Sequence, residues 1–169
     1  MIKKMFLLVA FMFATSILVA QDLSYPRLGV GFQANFPAGG LSVKADLTEQ
    51  HSAQAVIGLF GPFSSYYGRY IYNFSESGEN FLLKPYVYAQ AGIWKYDIES
   101  YGLDLTGTGL EDSESSFGYG IGAGLEFTYP QLSDKLKYSV EIGYSNVDLL
   151  NYDFNSIAFG VGLHYYFNL

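Results

Sequence analysis

Charged and amide side chains that could form an interior network recur at alternate positions along the chain. They are Lys44, Asp46, Arg69, Lys84, Gln90, Glu126, Glu141 and His164. Lysine or arginine residues and carboxylates are equal in number in this set, which predicts ion pairs, because buried charges are tolerated when they are paired. Glu126 and Glu141 are expected to find partners among the basic residues and His164. The alternative is a polar permeation path, although a selective pore would show a ring of charges of one sign.

A second group of chemically active residues is a run of acids without a nearby base. Its members are Glu99, Asp104, Glu111, Asp112 and Glu114. No lysine or arginine occurs between Lys95 and Lys135, so the simplest expectation is a solvated loop of like charges. Loose binding of Ca²⁺ or Mg²⁺ is the alternative, although the spacing matches no EF-hand pattern.

Segments in which apolar and polar residues alternate must position these groups. The segments are 28–36, 41–47, 53–59, 66–74, 83–93, 117–129, 136–144 and 157–167. Strict alternation is typical of half-buried strands, and eight strands are enough for the smallest closed membrane barrel. The sequence therefore predicts an all-β fold, an eight-stranded antiparallel up-and-down barrel that spans a membrane. Pro85 interrupts the fifth segment, and we expect it at a rim or at a bulge.

The two faces of the predicted strands differ sharply in composition. None of the residues assigned to the apolar face is charged, as expected for a face that meets lipid. A soluble β-fold, the alternative, would bury this face, but the interior of an eight-stranded barrel is too narrow for so many large side chains. The opposite face contains Gly118, Gly120, Gly122 and Gly124, which suit a narrow and crowded lumen.

The composition of the chain excludes several other classes of protein. Of its 169 residues, 50% are hydrophobic and 18% aromatic, which is not the composition of a disordered chain. Nine lysines and arginines face 16 acids, for a net charge of −7, so a nucleic-acid partner is not expected. With no cysteine, there is no disulfide, thiolate metal site or lipidation site.

The N-terminal residues 1–20 have the pattern of a secretory signal peptide. Lys3 and Lys4 precede an apolar run, and cleavage is expected after Ala20. An uncleaved N-terminal anchor is the alternative. No later apolar run is long enough for a membrane helix, so a barrel at 21–169 is the remaining way to cross a membrane.

An even number of strands places both termini on one side, which we expect to be the periplasm. The periplasmic turns would be 48–51, 75–80 and 130–135, and the outer loops 37–40, 61–65, 98–114 and 148–155. Longer connections are expected on the outer side, and 98–114 fits that rule best.

The strands LGVGFQANF and FGYGIGAGLEFTY, together with the closing GVGLHYYFNL, resemble the small eight-stranded outer-membrane β-barrel family. That family includes OmpX, the OmpA membrane domain and PorT-like barrels. The resemblance implies residence in the outer membrane among lipids and lipopolysaccharide. It also implies assembly by the barrel-assembly machinery, which reads a final aromatic residue. Here that aromatic, Phe167, lies two residues before the end of the chain.

The predicted function is that of a monomeric outer-membrane barrel with a packed polar lumen and a structural or surface-interacting role. A narrow channel for small solutes or water is the first alternative. A lipid-A-modifying enzyme is the second, suggested by the pair His51–Ser52. That enzyme must act at the outer leaflet, whereas we place His51 in a periplasmic turn, and for His164 an ordinary hydrogen bond is expected. We therefore expect no catalytic residue, metal or cofactor.

Overall fold

The computed structural model describes residues 25–35, 38–60, 63–96, 114–149 and 152–167. Their strands are β1 (Arg27–Asn35), β2 (Ala38–Asp46), β3 (His51–Phe60), β4 (Phe63–Asn73), β5 (Leu82–Tyr96), β6 (Glu114–Tyr129), β7 (Ser133–Leu149) and β8 (Tyr152–Phe167). Each strand pairs with its sequence neighbours, and β1 pairs antiparallel with β8, which closes the barrel. The predicted eight-stranded antiparallel barrel is confirmed. No helix among the described residues is long and apolar enough to span a membrane.

Burial follows the alternation of the sequence, with the apolar face outside. Phe117 and Phe159 are 65% and 67% exposed, whereas Gln33 and Asp46 are only 1% exposed. This is the reverse of a soluble protein, in which large apolar side chains are buried. An apolar exterior around a polar interior is the arrangement expected of a barrel whose outer face meets lipid.

The two rims of the barrel differ. We call the end that holds the start of β1 and the end of β8 the terminal rim, and the opposite end the distal rim. Strands β1 to β4 contain 9 to 11 residues, whereas β5 to β8 contain 15 to 17. Among the described residues, the pairing of β1 with β8 ends at Asn35 and Gly160, and the first residues of β8 pair with β7. The wall formed by β5 to β8 therefore rises above β1 and β2 at the distal rim.

The predicted bounds of two outer loops are wrong, because in both cases the strands extend into the predicted loop. Glu114, assigned to the acidic loop, is the first residue of β6 and pairs with Tyr96. The predicted loop 148–155 is almost entirely strand, with Asp148 paired with Asp153. The ladder of backbone hydrogen bonds continues past the apolar band, and the alternation that reveals a strand stops where the outer face becomes polar.

Smaller differences occur at the other connections. At the terminal rim the first connection is 47–50 rather than 48–51, the second is 74–81 rather than 75–80, and the third is 130–132 rather than 130–135. At the distal rim β2 begins at Ala38 and β4 at Phe63, inside the loops predicted at 37–40 and 61–65. Strand ends are weakly specified by sequence because fraying and turn formation compete there.

Pro85 lies at the terminal rim, one of the two places expected for it. It pairs with Leu125 of β6 without a shift of register, so it does not form a bulge. Its carbonyl accepts a hydrogen bond from the Phe74 N–H, 2.9 Å away and just beyond the end of β4. In an antiparallel ladder the missing N–H of Pro85 faces the same way as this carbonyl. The proline therefore removes a donor only where β4 has already ended.

Candidate functional site

The lumen near the terminal rim contains a carboxylate held by two lysines. Glu126 on β6 receives Lys44 Nζ of β2 on Oε2, and Lys137 Nζ of β7 on Oε1 at 2.9 Å. All three side chains are no more than 5% exposed. The strands bring them together because each occupies an inward position at a similar height in the barrel. Each oxygen of this buried carboxylate therefore accepts a charge-assisted hydrogen bond from a lysine.

A second ion pair lies deeper in the lumen. Arg69 Nη2 of β4 donates to Glu141 Oε1 of β7 at 2.7 Å, and both side chains are almost completely buried. Glu141 also accepts from Gln33 Nε2 at 3.1 Å and from the Tyr86 hydroxyl at 2.9 Å. The Arg69 guanidinium lies 3.9 Å from the centre of the Tyr88 ring. Glu141 is thus the acceptor around which four strands converge.

Asp46 is the acidic centre closest to the N-terminal end of β1. Its Oδ1 accepts from the Ser52 hydroxyl at 2.7 Å and from the Tyr166 hydroxyl at 3.3 Å. Its Oδ2 lies 3.3 Å from Arg27 Nη2. Arg27 also stacks over Tyr25, whose pKa is raised by partial burial, with the nearby guanidinium acting in the opposite direction. This group ties the beginning of β1 to β2, β3 and β8.

Two of the predicted network residues, Lys84 and Gln90, make contacts other than ion pairs. Lys84 Nζ donates to the backbone carbonyl of Glu49 at 3.0 Å. Gln90 Nε2 donates to the Ser145 hydroxyl at 3.1 Å, and its carbonyl accepts from Asn35 at 3.4 Å. The expected glutamate partners of Lys84 are therefore taken by other residues of the lumen.

His164 is hydrogen-bonded to Ser42 rather than to a glutamate. Its Nε2 lies 2.9 Å from the Ser42 hydroxyl and 3.3 Å from Gln54 Nε2. A serine and an imidazole at this distance have the spacing of a nucleophile and its base. Both side chains, however, are at most 3% exposed, inside the packed lumen. The geometry is that of an internal polar contact between two buried side chains.

His51, the other histidine, lies on the outer face of β3. Its Nδ1 is 2.6 Å from the Tyr70 hydroxyl, and its ring also meets the edge of Tyr72. Ser52, its neighbour in sequence, points the other way and is fully buried against Asp46. Successive side chains of a strand point to opposite faces, so His51 and Ser52 do not form a catalytic pair.

Lys137 and several uncharged residues belong to the lumen network but were not among the predicted site residues. Lys137 alternates with Leu136 and Tyr138, so the same period-two pattern could have placed it inside. Additional inward-facing members are Gln33, Asn35, Gln54, Asn73, Tyr86, Tyr88 and Tyr166. Tyrosine carries no charge, so a pattern of charged residues does not reveal that its hydroxyl group belongs to the network.

Three inward tyrosines lie opposite glycines of the neighbouring strand. Tyr86 pairs with Gly124 and Tyr88 with Gly122, and across the closing seam Tyr166 pairs with Gly29. A Cβ atom at Gly122 would lie 2.5 Å from the Tyr88 ring, which is too close for any real side chain. The glycine row predicted to line the lumen thus provides the space into which the aromatic rings fold.

The distal half of the lumen contains an apolar cluster in place of ion pairs. Val56, Tyr67, Trp94 and Val147 form one buried cluster, each no more than 5% exposed. The Tyr67 and Trp94 rings are stacked, with centroids 5.6 Å apart and planes at 6°. Two layers therefore fill the interior, an ionic one towards the terminal rim and an aromatic one towards the distal rim.

No group of three or more His, Asp or Glu side chains in the described ranges is arranged to hold a metal ion. The acidic residues Glu99, Asp104, Glu111 and Asp112 lie outside the described residues. The divalent-cation alternative for that loop therefore remains a prediction from the sequence.

Comparison with known proteins places this architecture among outer-membrane barrels. Residues 27–167 match the model of the family described as outer membrane protein beta-barrel domain. The N-terminal beta-barrel domain of Pseudomonas aeruginosa OprF is similar at 16% identity and a TM-score of 0.56, over 83% of this chain and 96% of that one. Neisserial surface protein A has 10% identity and a TM-score of 0.44, over 85% and 94% of the two chains. A search of curated proteins gave no match.

Proposed function

The chain belongs to the outer membrane protein beta-barrel domain family and resides in the outer membrane, and we propose that it acts there as a closed barrel with a structural or surface-interacting role. The observation that carries this proposal is the filling of the lumen by two layers of side chains. The ionic layer contains Lys44, Glu126 and Lys137, and the apolar layer includes the stacked Tyr67 and Trp94.

Both layers argue against a permeation path. A conducting pore needs binding sites weak enough for a solute to leave, and a selective one presents charges of one sign. Here each carboxylate of the lumen is bonded directly to a cation, as in Arg69–Glu141 at 2.7 Å. Passage would require breaking buried ion pairs and separating a stacked aromatic pair. The channel alternative is therefore the weaker proposal.

The enzyme alternative receives little support from the same geometry. Ser42 and His164 approach within 2.9 Å, but they are enclosed by the lumen network. A lipid-A-modifying enzyme would need its reactive groups on the outer face or at an open rim. We therefore propose a role without catalysis, in contact with lipid and lipopolysaccharide, for a monomer inserted by the barrel-assembly machinery.

Conductance in planar lipid bilayers tests the closed barrel. The purified wild-type protein should give no discrete channel openings, because both layers block the lumen. As a positive control, Trp94→Ala combined with Glu126→Ala and Lys44→Ala removes parts of both layers and should raise the conductance. Regular unit openings in the wild-type protein would instead favour the channel alternative. Mass spectrometry of lipid A from a deletion strain tests the enzyme alternative. Loss of a lipid-A modification in that strain would favour an enzyme, and unchanged lipid A supports the role without catalysis.

A further inference from the structure

Lys84 is the buried ammonium of the lumen that has no carboxylate partner among the described residues. Its side chain enters the lumen from β5 near the terminal rim, and the residue is only 5% exposed. Among the described residues, Lys84 Nζ donates one hydrogen bond, to the Glu49 backbone carbonyl at 3.0 Å. An ammonium group has three N–H donors, so two of them have no acceptor among the described residues.

The nearby carboxylates are already engaged by other donors. Glu126 lies directly opposite Lys84 in the β5–β6 register. However, its two oxygens are bonded to Lys44 and Lys137. Asp46 is likewise occupied, by Ser52 and Tyr166 on one oxygen and by Arg27 on the other. Neither carboxylate forms a direct ion pair with the Lys84 ammonium.

The charges that line this half of the lumen do not balance. Among the described residues, the buried Lys44, Lys84 and Lys137 face Asp46 and Glu126, an excess of one positive charge, and the partly exposed Arg27 adds another at the rim. The deeper pair Arg69–Glu141 is neutral as a unit. An unpaired charge in a poorly hydrated interior raises the free energy of the folded state. The terminal half of the lumen should therefore attract an anion.

The β2–β3 turn lies over this part of the lumen. Besides the bond from Lys84 to the Glu49 carbonyl, the Gln50 carbonyl accepts the Asn73 backbone N–H at 2.7 Å. These contacts anchor the turn at the terminal rim, next to the Lys84 ammonium. A ligand reaching Lys84 from this rim would be small and would lie inside the barrel rather than on the lipid-facing side.

We propose that Lys84 anchors a binding site for a small free oxyanion, with the chemistry of inorganic phosphate, at the terminal opening of the lumen. A lysine binds phosphate as a point charge through its free N–H groups. The excess of positive charge supplies the attraction. The ligand would neutralise part of the buried charge and stabilise the folded barrel, because binding to the native state alone raises stability by mass action.

Thermal unfolding of the refolded protein in detergent tests the site, with sodium phosphate compared with sodium chloride at equal pH and ionic strength. The wild-type midpoint should rise with the logarithm of the phosphate concentration above the dissociation constant, by roughly 2–4 °C at about five times that constant. Lys84→Gln, which keeps a donor for the Glu49 carbonyl but loses the charge, should lose this rise. Lys95→Gln, an exposed lysine on the same strand, should keep it.

The control separates a site from a general salt effect. Phosphate also stabilises proteins by exclusion from their surface, and that contribution should be the same in the wild type, Lys84→Gln and Lys95→Gln. An equal rise in all three, or none in any, overturns the proposal. If Lys84→Gln does not refold, calorimetric titration of phosphate into folded wild type and Lys84→Arg decides. Binding to both supports the site, and absence of binding to the wild type refutes it.

Discussion

Glu141 shows how much of the interior depends on single residues. It accepts hydrogen bonds from Arg69, Gln33 and Tyr86, which belong to three other strands. Removing the carboxylate would leave the Arg69 charge buried and unpaired. Removing one partner of a buried ion pair is strongly destabilising, because the other charge stays buried without compensation. Replacing both partners by apolar residues costs much less.

We therefore predict that Glu141→Ala lowers the free energy of unfolding by about 3–5 kcal/mol. Urea titration of the barrel in lipid vesicles, followed by the fluorescence of Trp94, measures this loss. The matched control is Glu79→Ala, on an exposed turn, which should change stability by less than about 0.5 kcal/mol. Adding Arg69→Leu to Glu141→Leu should recover part of the loss. Equal stability of Glu141→Ala and wild type would refute the importance assigned to this pair.

Residue orientation could be predicted from the sequence, but the pairing of residues could not. Period-two alternation fixes the face that a strand residue occupies, and that was enough to group Lys44 with Glu126. Which lysine reaches which oxygen depends on the stagger between strands that are distant in sequence. That is why Lys84, although opposite Glu126 in the register, bonds to a turn carbonyl instead.

At the scale of strands, tyrosines and glycines form complementary pairs across β5 and β6. Tyr86 lies opposite Gly124 and Tyr88 opposite Gly122. Glycine normally weakens a strand because it has no side chain to pack. Here the rings cover the glycines, and the Tyr86 ring is held further by its bond to Glu141 at 2.9 Å.

We predict that Gly124→Ala destabilises the barrel by about 1–3 kcal/mol, because the new methyl group collides with the Tyr86 ring. Gly68→Ala is the control, since a Cβ there faces outward and comes no closer than 4.0 Å to a neighbouring heavy atom. Unfolding in urea should show a lower midpoint for the first variant and an unchanged one for the second. The reverse order would mean that the aromatic rings do not restrict the lumen.

Strand existence and order followed from the sequence, whereas strand length at the distal rim did not. Alternation is strong where one face meets lipid, so all eight strands were found and their order is that of the chain. Beyond the apolar band, pairs such as Asn146–Asn155 continue the ladder with polar residues on both strands. The ladder itself is made by the backbone, and polar residues on both strands leave no hydrophobic pattern to detect.

At the scale of the whole molecule, the closed lumen and the apolar exterior have the same cause. A barrel leaves no sheet edge inside the membrane, so every backbone group in the paired region is satisfied internally. Eight strands enclose a space that side chains can fill. The lipid-facing surface can then be uniformly apolar, because the polar groups are collected inside.

Export of the chain should involve removal of residues 1–20, which lie outside the described residues. We predict that the protein recovered from the outer membrane begins at Gln21, because a positive start and a short apolar run form a signal peptide. N-terminal sequencing or intact mass of the protein purified from membranes measures this. Recovery of a chain that begins at Met1 would favour the uncleaved anchor.

The orientation of the barrel is the last property that the sequence predicts. We expect the terminal rim to face the periplasm and the loop 98–114 to face the outside, since long connections in this class lie on the outer side. The chain contains no cysteine, so single cysteines can be introduced and labelled on whole cells with a large maleimide that does not cross the outer membrane. Asp104→Cys should be labelled on intact cells, and Glu79→Cys, on the β4–β5 connection, only after permeabilisation. Labelling of Glu79→Cys but not of Asp104→Cys on intact cells would show that the barrel has the opposite orientation.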